Sequence, residues 1–194
     1  AGIPVITLRE EPLQDEINRL FKRLFDLIFS LMVVLLIYPW LIPMVSFLVK
    51  TSSKGPVFFK QLRSGINNKD FYCYKFRTMK VNALADELQA TKGDARITRT
   101  GTFLRKTNLD EFPQFLNVLK GDMSIVGPRP HMLKHTDDYS KLIDKYMVRQ
   151  LVKPGITGAA QVYGYRGETK TTKEMEDRVK LDVWYIENWS LLLD

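Results

Sequence analysis

The most prominent pattern in the sequence is an apolar stretch from Leu27 to Val49 that contains no charged residue. A stretch of about 20 apolar residues is long enough for a helix that crosses a lipid bilayer. Pro39 lies near the centre of the stretch, and Pro43 follows it. A proline inside a helix removes a backbone hydrogen bond and kinks or breaks the helix. The pattern therefore predicts two helical halves with a break at Pro39.

Basic residues on both sides of this stretch indicate how it is arranged. They are Arg19, Lys22 and Arg23 before it, and Lys50 and Lys54 after it. Lys and Arg are enriched on the cytoplasmic side of membrane segments, so positive charge at both ends places both ends on that side. We therefore predict a re-entrant membrane helix hairpin over residues 19–50, with a single spanning helix as the alternative. Asp26, at the start of the segment, is interpreted as one partner of a local ion pair with Lys22 or Arg23.

The rest of the chain alternates between strand-like and helical patterns. Residues 57–59 and 71–77 predict the two strands of a hairpin around a polar loop. Four helices are predicted, at residues 81–88, 112–119, 138–152 and 172–189. Gly121 is the predicted C-terminal cap of the second helix, and loops are predicted at 91–102 and 155–167. The last helix carries Trp184 and Trp189, which suit either a membrane interface or a soluble core.

The composition narrows the class of partner. A net charge of +7 indicates an anionic partner, and nucleic acid, lipid headgroups and phosphorylated substrates all fit. The sequence has no helix-turn-helix, zinc-ligand spacing or RNA-binding motif, so nucleic acid is disfavoured. Cys73 is the only cysteine, which excludes an internal disulfide. His131 and His135 lie four residues apart, but Met132 stands where a zinc-protease pattern requires Glu, so capping or surface roles are favoured.

The chemistry of the chain centres on two adjacent carboxylates, Asp110 and Glu111. They follow the cations Arg105 and Lys106 closely, and a carboxylate can serve as a nucleophile in group transfer. A purely structural interpretation is also open. Thr107 suits an N-cap with Asp110 at the third helical position, and the helix dipole favours acids in a first turn.

Arg129 stands between Pro128 and Pro130, and both prolines stiffen the backbone around it. A guanidinium held in this way loses less entropy on binding and is a good clamp for phosphate. A solvated turn arginine is the alternative. Lys75 and Arg77 add two cations nearby, which also suit an exposed strand face.

Six motifs occur in a characteristic order. They are KFRTM at 75–79, FLRKT at 103–107, LDEFPQ at 109–114, NVLKGDMS at 117–124, VGPRP at 126–130 and KPGITG at 153–158. In these motifs, and from about Arg19 to its end, the chain resembles the bacterial sugar transferase family, the monotopic phosphoglycosyl transferases. Residues 2–13 are similar to the linker that precedes the catalytic part in long members. We therefore expect residues 1–18 to be a linker and an N-terminal region to be missing.

The resemblance implies a specific reaction. Members transfer a sugar 1-phosphate from a UDP-sugar to polyprenyl (undecaprenyl) phosphate and release UMP, as the first membrane step of exopolysaccharide, capsule or O-antigen synthesis. UDP-glucose is the expected donor, with UDP-galactose and UDP-N-acetyl sugars as alternatives. By the family pattern Asp110 is the nucleophile and forms a covalent phosphosugar intermediate. Glu111 assists as a proton acceptor or metal ligand, and Mg²⁺ is expected on Asp110 and Glu111.

The resemblance also implies roles for five further side chains. Arg105 and Arg129 would neutralise phosphoryl charge in the transition state. Gln114, Lys75 and Arg77 are expected to contribute to substrate binding. In one position the chain departs from the family, which usually breaks the re-entrant helix at Ser-Pro: Tyr38 precedes Pro39 here. A tyrosine cannot satisfy a freed backbone group in the way that a serine hydroxyl does.

Together these observations predict an α+β, mostly helical fold. It combines the re-entrant membrane helix hairpin broken at Pro39 with a small cytosolic α/β catalytic domain, residues 51–194, that carries interfacial amphipathic helices. The expected partners are the UDP-sugar, polyprenyl phosphate and membrane lipids, without nucleic acid, and a homodimer is an open prediction. The expected location is the bacterial inner membrane, with the active site on its cytoplasmic face. A membrane scaffold without enzyme activity is the remote alternative.

Overall fold

The structure, a computed structural model, describes residues 11–81, 91, 93–167 and 171–194. Its α-helices are α1 (Glu16–Leu36), α2 (Tyr38–Ser52), α3 (Arg99–Thr107), α4 (Gln114–Lys120), α5 (Leu133–Ser140), α6 (Ala159–Val162) and α7 (Thr172–Glu187). Its strands are β1 (Phe58–Ser64), β2 (Asp70–Phe76), β3 (Ser124–Val126) and β4 (Gly155–Thr157). Residues 1–10 of the predicted linker and most of the predicted helix at 81–88 lie outside the described residues. The mixed, largely helical fold class is confirmed.

The long apolar stretch forms two helices that meet at Ile37. The axes of α1 and α2 differ in direction by 63°. The break lies two residues before the predicted position, because Pro39 occupies the first turn of α2, where a missing backbone N–H costs nothing. Pro43 lies inside α2 without ending it. Among the described residues no single helix is long and apolar enough to cross a membrane, whereas the bent pair is, by length and composition alone.

The outer surface of this helix pair is apolar and exposed. Its exposed side chains include Leu20, Phe21, Leu24, Ile28, Leu31, Leu35, Leu36, Trp40, Met44 and Phe47. The opposite face is buried, with Val33 packing in one core cluster and Leu41, Val45 and Val49 in another. The pair is therefore amphipathic, with one side against the rest of the protein.

Polar side chains fasten α1 to the domain. Asp26 accepts hydrogen bonds from the Ser124 hydroxyl at 3.0 Å and from the Ile125 backbone N–H at 2.9 Å. Lys22 forms a buried ion pair with Asp194, and Arg23 donates to two backbone carbonyls of α4. The local ion pair predicted for Asp26 holds only in part: the charge of Lys22 acts on Asp26, but its hydrogen-bond partners lie on β3, about 100 residues away in sequence.

The predicted hairpin is confirmed. β1 and β2 pair antiparallel with a register from Phe58↔Phe76 to Ser64↔Asp70. β1 extends further than predicted, because residues 61–64 of the predicted loop continue the strand. A second, parallel pair of short strands joins β3 to β4. β4 lies in the segment predicted to be a glycine-rich loop.

β3 and β4 approach each other unusually closely. A Cβ atom on Gly155 would lie 2.2 Å from the Gly127 nitrogen, and one on Gly158 would lie 2.2 Å from the Gly127 oxygen. Real Cβ atoms essentially never come so close to backbone. Gly155 and Gly158 therefore require glycine for packing, without any nucleotide contact, whereas a Cβ atom at Gly164 or Gly167 would meet no neighbour.

The helix predictions have mixed outcomes. α7 and the Gly121 cap are confirmed, the latter with φ of 95°. The helix predicted at 138–152 is wrong, because α5 ends at Ser140 and Lys145 has φ of +63°, which interrupts helical geometry. The loop predicted at 91–102 is wrong in its last part. α3 begins there because the Thr98 hydroxyl accepts a hydrogen bond from the Gly101 N–H and caps the helix.

Candidate active site

Asp110 and Glu111 lie in a single 3₁₀ turn, Leu109–Glu111, between α3 and α4. The chain enters this turn through Asn108, whose φ of 62° is left-handed, a conformation that Asn tolerates better than most residues. Thr107 is not the N-cap of a helix, because it ends α3 and its hydroxyl donates to the Phe103 carbonyl at 2.9 Å. The turn faces β2 and carries both carboxylates.

Glu111 is buried under three cations. Its Oε1 atom is 2.7 Å from Lys75 Nζ and 2.6 Å from Arg129 Nη2. Its Oε2 atom is 3.2 Å from Arg129 Nη1 and 3.7 Å from Arg166 Nη2. Burial alone would raise the pKa of Glu111, but the charges and hydrogen bonds of Lys75 and Arg129 outweigh it and hold this pKa well below its ordinary value. Glu111 is therefore ionised at neutral pH.

Asp110 has the opposite environment. Its side chain is buried, and within the described part of the chain no group donates a hydrogen bond to its carboxylate. Burial raises the pKa of Asp110, and the negative charge of Glu111 adds to this, against the attraction of Lys75, Arg105 and Arg129. An anion without hydrogen-bond donors in a cationic surrounding is well suited to act as a nucleophile.

Two further hydrogen bonds, one to its side chain and one to its backbone, hold Arg129 in place beside Glu111. Its Nη1 atom also donates to Gln161 Oε1 at 2.9 Å, and its backbone carbonyl accepts from Arg149 Nη2 at 2.8 Å. Arg149 is in turn paired with Asp182 of α7 at 2.7 Å, and both side chains are buried. A chain of charged contacts thus runs from α7 through Arg149 to the site.

His131 lies beneath this chain of contacts. It is buried, with Nδ1 at 2.6 Å from the Tyr146 hydroxyl and with Arg149 and Arg178 facing the ring. Burial and the neighbouring guanidinium groups hold the pKa of His131 well below its ordinary value, so the ring is neutral. The surface or capping role predicted for His131 is wrong. No cluster of three or more His, Cys, Asp or Glu side chains occurs in the described segments.

A cleft of about 390 Å³ opens beside Glu111. It is lined by Asn108, Glu111, Phe112, Phe115, Ile156, Thr157, Gln161, Val162 and Arg166. One wall is aromatic and aliphatic, and Phe115 in this wall stacks against Phe29 of α1 with ring centroids 6.1 Å apart. The other wall carries the charged groups around Glu111. The cleft therefore joins Glu111 to the bent helix pair, and Asp110 is not among its lining residues.

The other predicted site residues lie in different places. Arg105 donates from Nε to the Thr78 hydroxyl at 2.9 Å, and its charge acts on Asp110. Gln114 is fully buried at the start of α4 and is not part of the cleft lining. Arg77 requires a correction, because it is buried and donates to the carbonyls of Ser53 and Lys54 at the end of α2. It caps that helix, where the helix dipole favours a cation, and does not face the carboxylates.

Two residues of the site, Gln161 and Arg166, were not singled out in the sequence. Gln161 holds Arg129, and Arg166 approaches Glu111. Both lie in the segment predicted as a glycine-rich loop that could not be assigned. The available signal was a polar residue and a cation within the ten residues after KPGITG, but only the β3–β4 pairing shows that this segment returns to Arg129.

The carboxylates fit Mg²⁺ only in part. Both oxygens of Glu111 are occupied by Lys75, Arg129 and Arg166, so Glu111 is poorly placed as a metal ligand. The Asp110 oxygens accept no hydrogen bond from the described residues. Mg²⁺ commonly binds through one or two carboxylates together with substrate phosphates and water. A single carboxylate can satisfy that pattern only when a phosphate substrate supplies further ligands.

Comparison with known proteins gives a family match over most of the chain. The family model described as "Bacterial sugar transferase" matches residues 17–194. The UDP-glucose:undecaprenyl-phosphate glucose-1-phosphate transferase of Klebsiella pneumoniae is 52% identical over 194 residues, which are 100% of this chain and 41% of the relative. Its counterpart in Escherichia coli strain K12 is 50% identical over 194 residues, with the same coverage of 100% and 41%.

A relative with a different sugar in its name is also similar. The UDP-N-acetylgalactosamine-undecaprenyl-phosphate N-acetylgalactosaminephosphotransferase of Aeromonas hydrophila is 46% identical over 156 residues, which are 79% of this chain and 36% of the relative. The chain thus spans about two fifths of the length of the glucose-named relatives, at 41%.

Proposed function

The chain belongs to the bacterial sugar transferase family, and we propose that it transfers a sugar 1-phosphate from a UDP-sugar to undecaprenyl phosphate and releases UMP. One observation carries the proposal: three cations gather around the carboxylate of Glu111, beside a buried carboxylate, Asp110, that accepts no hydrogen bond from the described residues. UDP-glucose is the proposed donor, because it appears in the names of the relatives from Klebsiella pneumoniae and Escherichia coli.

The proposed reaction has two displacements at one phosphorus atom. An oxygen of Asp110 attacks the sugar-linked phosphorus, the anhydride P–O bond breaks, and UMP leaves with the electron pair of that bond. A phosphate oxygen of the lipid then attacks the same phosphorus, the bond to Asp110 breaks, and the carboxylate is restored. One phosphoanhydride replaces another, so no further energy source is required. Ping-pong kinetics are the expected signature.

Glu111 acts in this proposal by holding cations, not by accepting a proton. A carboxylate with a pKa well below its ordinary value is a weak base, which disfavours the proton acceptor role left open from the sequence. Lys75, Arg129 and Arg166 are the groups that stabilise phosphoryl charge in the transition state. Glu111 keeps them close together before a substrate arrives.

Mg²⁺ remains part of the proposal, with fewer protein ligands than the sequence predicted. Asp110 and the diphosphate of the donor would hold it, and it would neutralise phosphate charge as the leaving group departs. Glu111 is not proposed as a ligand. Arg105, whose charge acts on Asp110, is proposed to stabilise the same phosphoryl group.

The exposed apolar surface of α1 and α2 supports a place for this pair in the membrane. We propose that the pair is re-entrant, with the active site on the cytoplasmic face of the inner membrane, because the basic residues flank both of its ends. The apolar wall of the cleft adjoins the pair through Phe29 and Phe115, which suits an acceptor with an anionic head and an apolar tail. The homodimer stays a prediction.

The test is UMP release by the full-length protein in detergent, with UDP-glucose, undecaprenyl phosphate and Mg²⁺. We expect UMP from the wild type and from Asp144→Asn, a control at an exposed turn residue, and a loss of about 10³-fold or more for Asp110→Asn. Without the lipid, radiolabelled UDP-glucose should label the wild type but not Asp110→Asn. Equal rates for wild type and Asp110→Asn would contradict the role of Asp110. No UMP with glucose, galactose and N-acetyl donors alike would favour a membrane scaffold.

A further inference from the structure

The break between α1 and α2 is in direct contact with the turn that carries the carboxylates. The Tyr38 hydroxyl donates a hydrogen bond to the backbone carbonyl of Phe112 at 2.7 Å, although the two residues are 74 positions apart. Tyr38 is the first residue of α2. It is also the residue at which this chain departs from the Ser-Pro break of the family.

Phe112 is the residue that directly follows the 3₁₀ turn, two residues before the start of α4. Its N–H donates to the Leu109 carbonyl at 3.3 Å and closes the 3₁₀ turn, and its own carbonyl accepts from the Phe115 N–H at 3.1 Å. Its side chain lines the cleft. Whatever fixes Phe112 therefore fixes the end of the turn that presents Asp110 and Glu111.

The contact differs from the other attachments of the helix pair. Asp26 binds β3, and Arg23 binds the carbonyls of Val118 and Leu119 in the last turns of α4. The hydrogen bond of Tyr38, by contrast, joins the helix pair to Phe112, the residue that follows Glu111. Its ring packs in the same core cluster as Phe112.

We propose that Tyr38 is a positioning residue that couples the helix break to the catalytic turn. The proposal rests on the proposed function for its kinetic consequences. A serine at this position would bond within its own helix, whereas the tyrosine hydroxyl acts across the domain boundary. The position of the break thereby sets the position of the turn relative to the cleft, and a displacement of about 1 Å in a reacting group can cost up to 100-fold in rate.

The Phe112 carbonyl keeps a second donor when the contact is lost. When the hydroxyl is removed, the Phe115 N–H still satisfies this carbonyl, so no buried acceptor is left without a partner. The ring of Tyr38 would still fill the same space in Tyr38→Phe. This variant therefore separates the positioning role from a packing role.

The experiment compares Tyr38→Phe and Tyr38→Ser with the wild-type full-length protein in lipid nanodiscs. Tyr72→Phe is the matched control, because the Tyr72 side chain is exposed on β2 and its hydroxyl makes no hydrogen bond to the described residues. Steady-state kcat, KM for UDP-glucose, KM for undecaprenyl phosphate and the thermal midpoint are measured. We expect kcat to fall about tenfold in both Tyr38 variants, with both KM values unchanged and the midpoint of Tyr38→Phe within a few degrees of the wild type.

A second readout is independent of activity. Hydrogen–deuterium exchange of the backbone amides of residues 109–116 should be faster in Tyr38→Phe than in the wild type and unchanged in Tyr72→Phe. If the wild type releases no UMP from any donor, the proposed function fails. The exchange measurement then tests by itself whether Tyr38 couples the helix break to the turn.

Several outcomes would overturn the proposal. The first is an unchanged kcat with unchanged exchange in Tyr38→Phe. The second is a rise in KM for the lipid alone, which would make Tyr38 a lipid contact. The third is full activity in Tyr38→Ser, which would mean that a local hydroxyl suffices. A drop of the thermal midpoint that accounts for the whole loss of activity would assign Tyr38 a structural role only.

Discussion

Asp110 and Glu111 are consecutive residues, yet Glu111 Oε1 lies 2.6 Å from a guanidinium nitrogen while no described group donates to Asp110. The 3₁₀ turn explains the difference, because successive side chains of a tight turn point in different directions. One carboxylate is paired and fixed as an anion. Asp110 is buried without hydrogen-bond donors among the described residues, so its carboxylate oxygens are available to attack phosphorus.

The environment of Asp110 predicts that Asp110→Asn unfolds at a higher temperature than the wild type at pH 7. Burial raises the pKa of Asp110 in the folded state, so the ionised carboxylate disfavours folding above the ordinary Asp pKa of about 3.9. The gain should vanish below that pH, where the side chain is protonated in both states. Thermal midpoints by circular dichroism across a pH series check this, and a lower midpoint at pH 7 would contradict it.

Glu111→Gln should have the opposite effect on stability at pH 7. It leaves Lys75, Arg129 and Arg166 without their shared counter-charge, and breaking such a buried pair typically costs about 3–5 kcal/mol. Because the folded-state pKa of Glu111 is depressed, the difference from the wild type is complete above the ordinary Glu pKa of about 4.3 and shrinks as pH falls below it.

The control for Glu111→Gln is Glu16→Gln. Glu16 forms an exposed ion pair with Arg19 at 3.4 Å, and such pairs contribute about 0–1 kcal/mol. Thermal midpoints of both variants and the wild type are compared at neutral and acid pH. Equal midpoints for wild type and Glu111→Gln at pH 7 would show that the cations do not depend on Glu111.

Arg166→Gln should lower kcat/KM without changing the fold. Arg166 is the most distant of the three cations, at 3.7 Å, and its side chain is 43% exposed, so it is available to a phosphate and contributes little to stability. We expect a loss of about tenfold in kcat/KM, the scale of one charge-assisted phosphate contact. Arg99→Gln, at an exposed position of α3, is the control, and equal losses in both variants would contradict a role at the site.

The buried pair of Arg149 and Asp182 predicts strong coupling between two substitutions. Arg149→Met should lose about 3–5 kcal/mol, because it leaves the Asp182 carboxylate buried without its partner. Asp182→Asn should lose less, because burial raises the pKa of Asp182 and so already disfavours its ionised form. The double variant should lose less than the sum of the two. Urea or thermal unfolding of the four proteins in detergent measures this, and additive losses would show that the two charges do not stabilise each other.

Removal of Mg²⁺ should stop UMP release and leave the thermal midpoint of the substrate-free protein unchanged. Of the two adjacent carboxylates, Glu111 is occupied by cations, and Asp110 alone offers too few ligands to bind the ion tightly. Activity and midpoint are measured with and without EDTA. A fall in midpoint on EDTA treatment would reveal a site built by the protein itself.

The sequence predicted those features that depend on neighbouring residues. The bend of the apolar stretch, the hairpin of β1 and β2 and the Gly121 cap follow from proline, alternation and glycine, which act locally. The position of the bend was off by two residues because Pro39 is tolerated in the first turn of α2. The motif residues Lys75, Glu111 and Arg129 do come together.

Features that depend on distant residues could not be predicted. Strand alternation would put Arg77 on the same face as Lys75, but β2 ends at Phe76, and Arg77 turns to the carbonyls at the end of α2. Arg166 and Gln161 reach the site through the pairing of β3 with β4, which involves only a few residues of each strand. The burial of His131 depends on arginines from α7 and from the segment before β4.

The contact between Gly127, Gly155 and Gly158 has a consequence for how members of this family can diverge. Because backbone packs directly against backbone there, a side chain at any of the three glycines would force apart the segments that carry Arg129 and Gln161. Val162, at the exposed edge of the cleft, has no such constraint. We therefore expect a change of sugar preference to evolve at the rim of the cleft, while the phosphate-handling centre stays invariant.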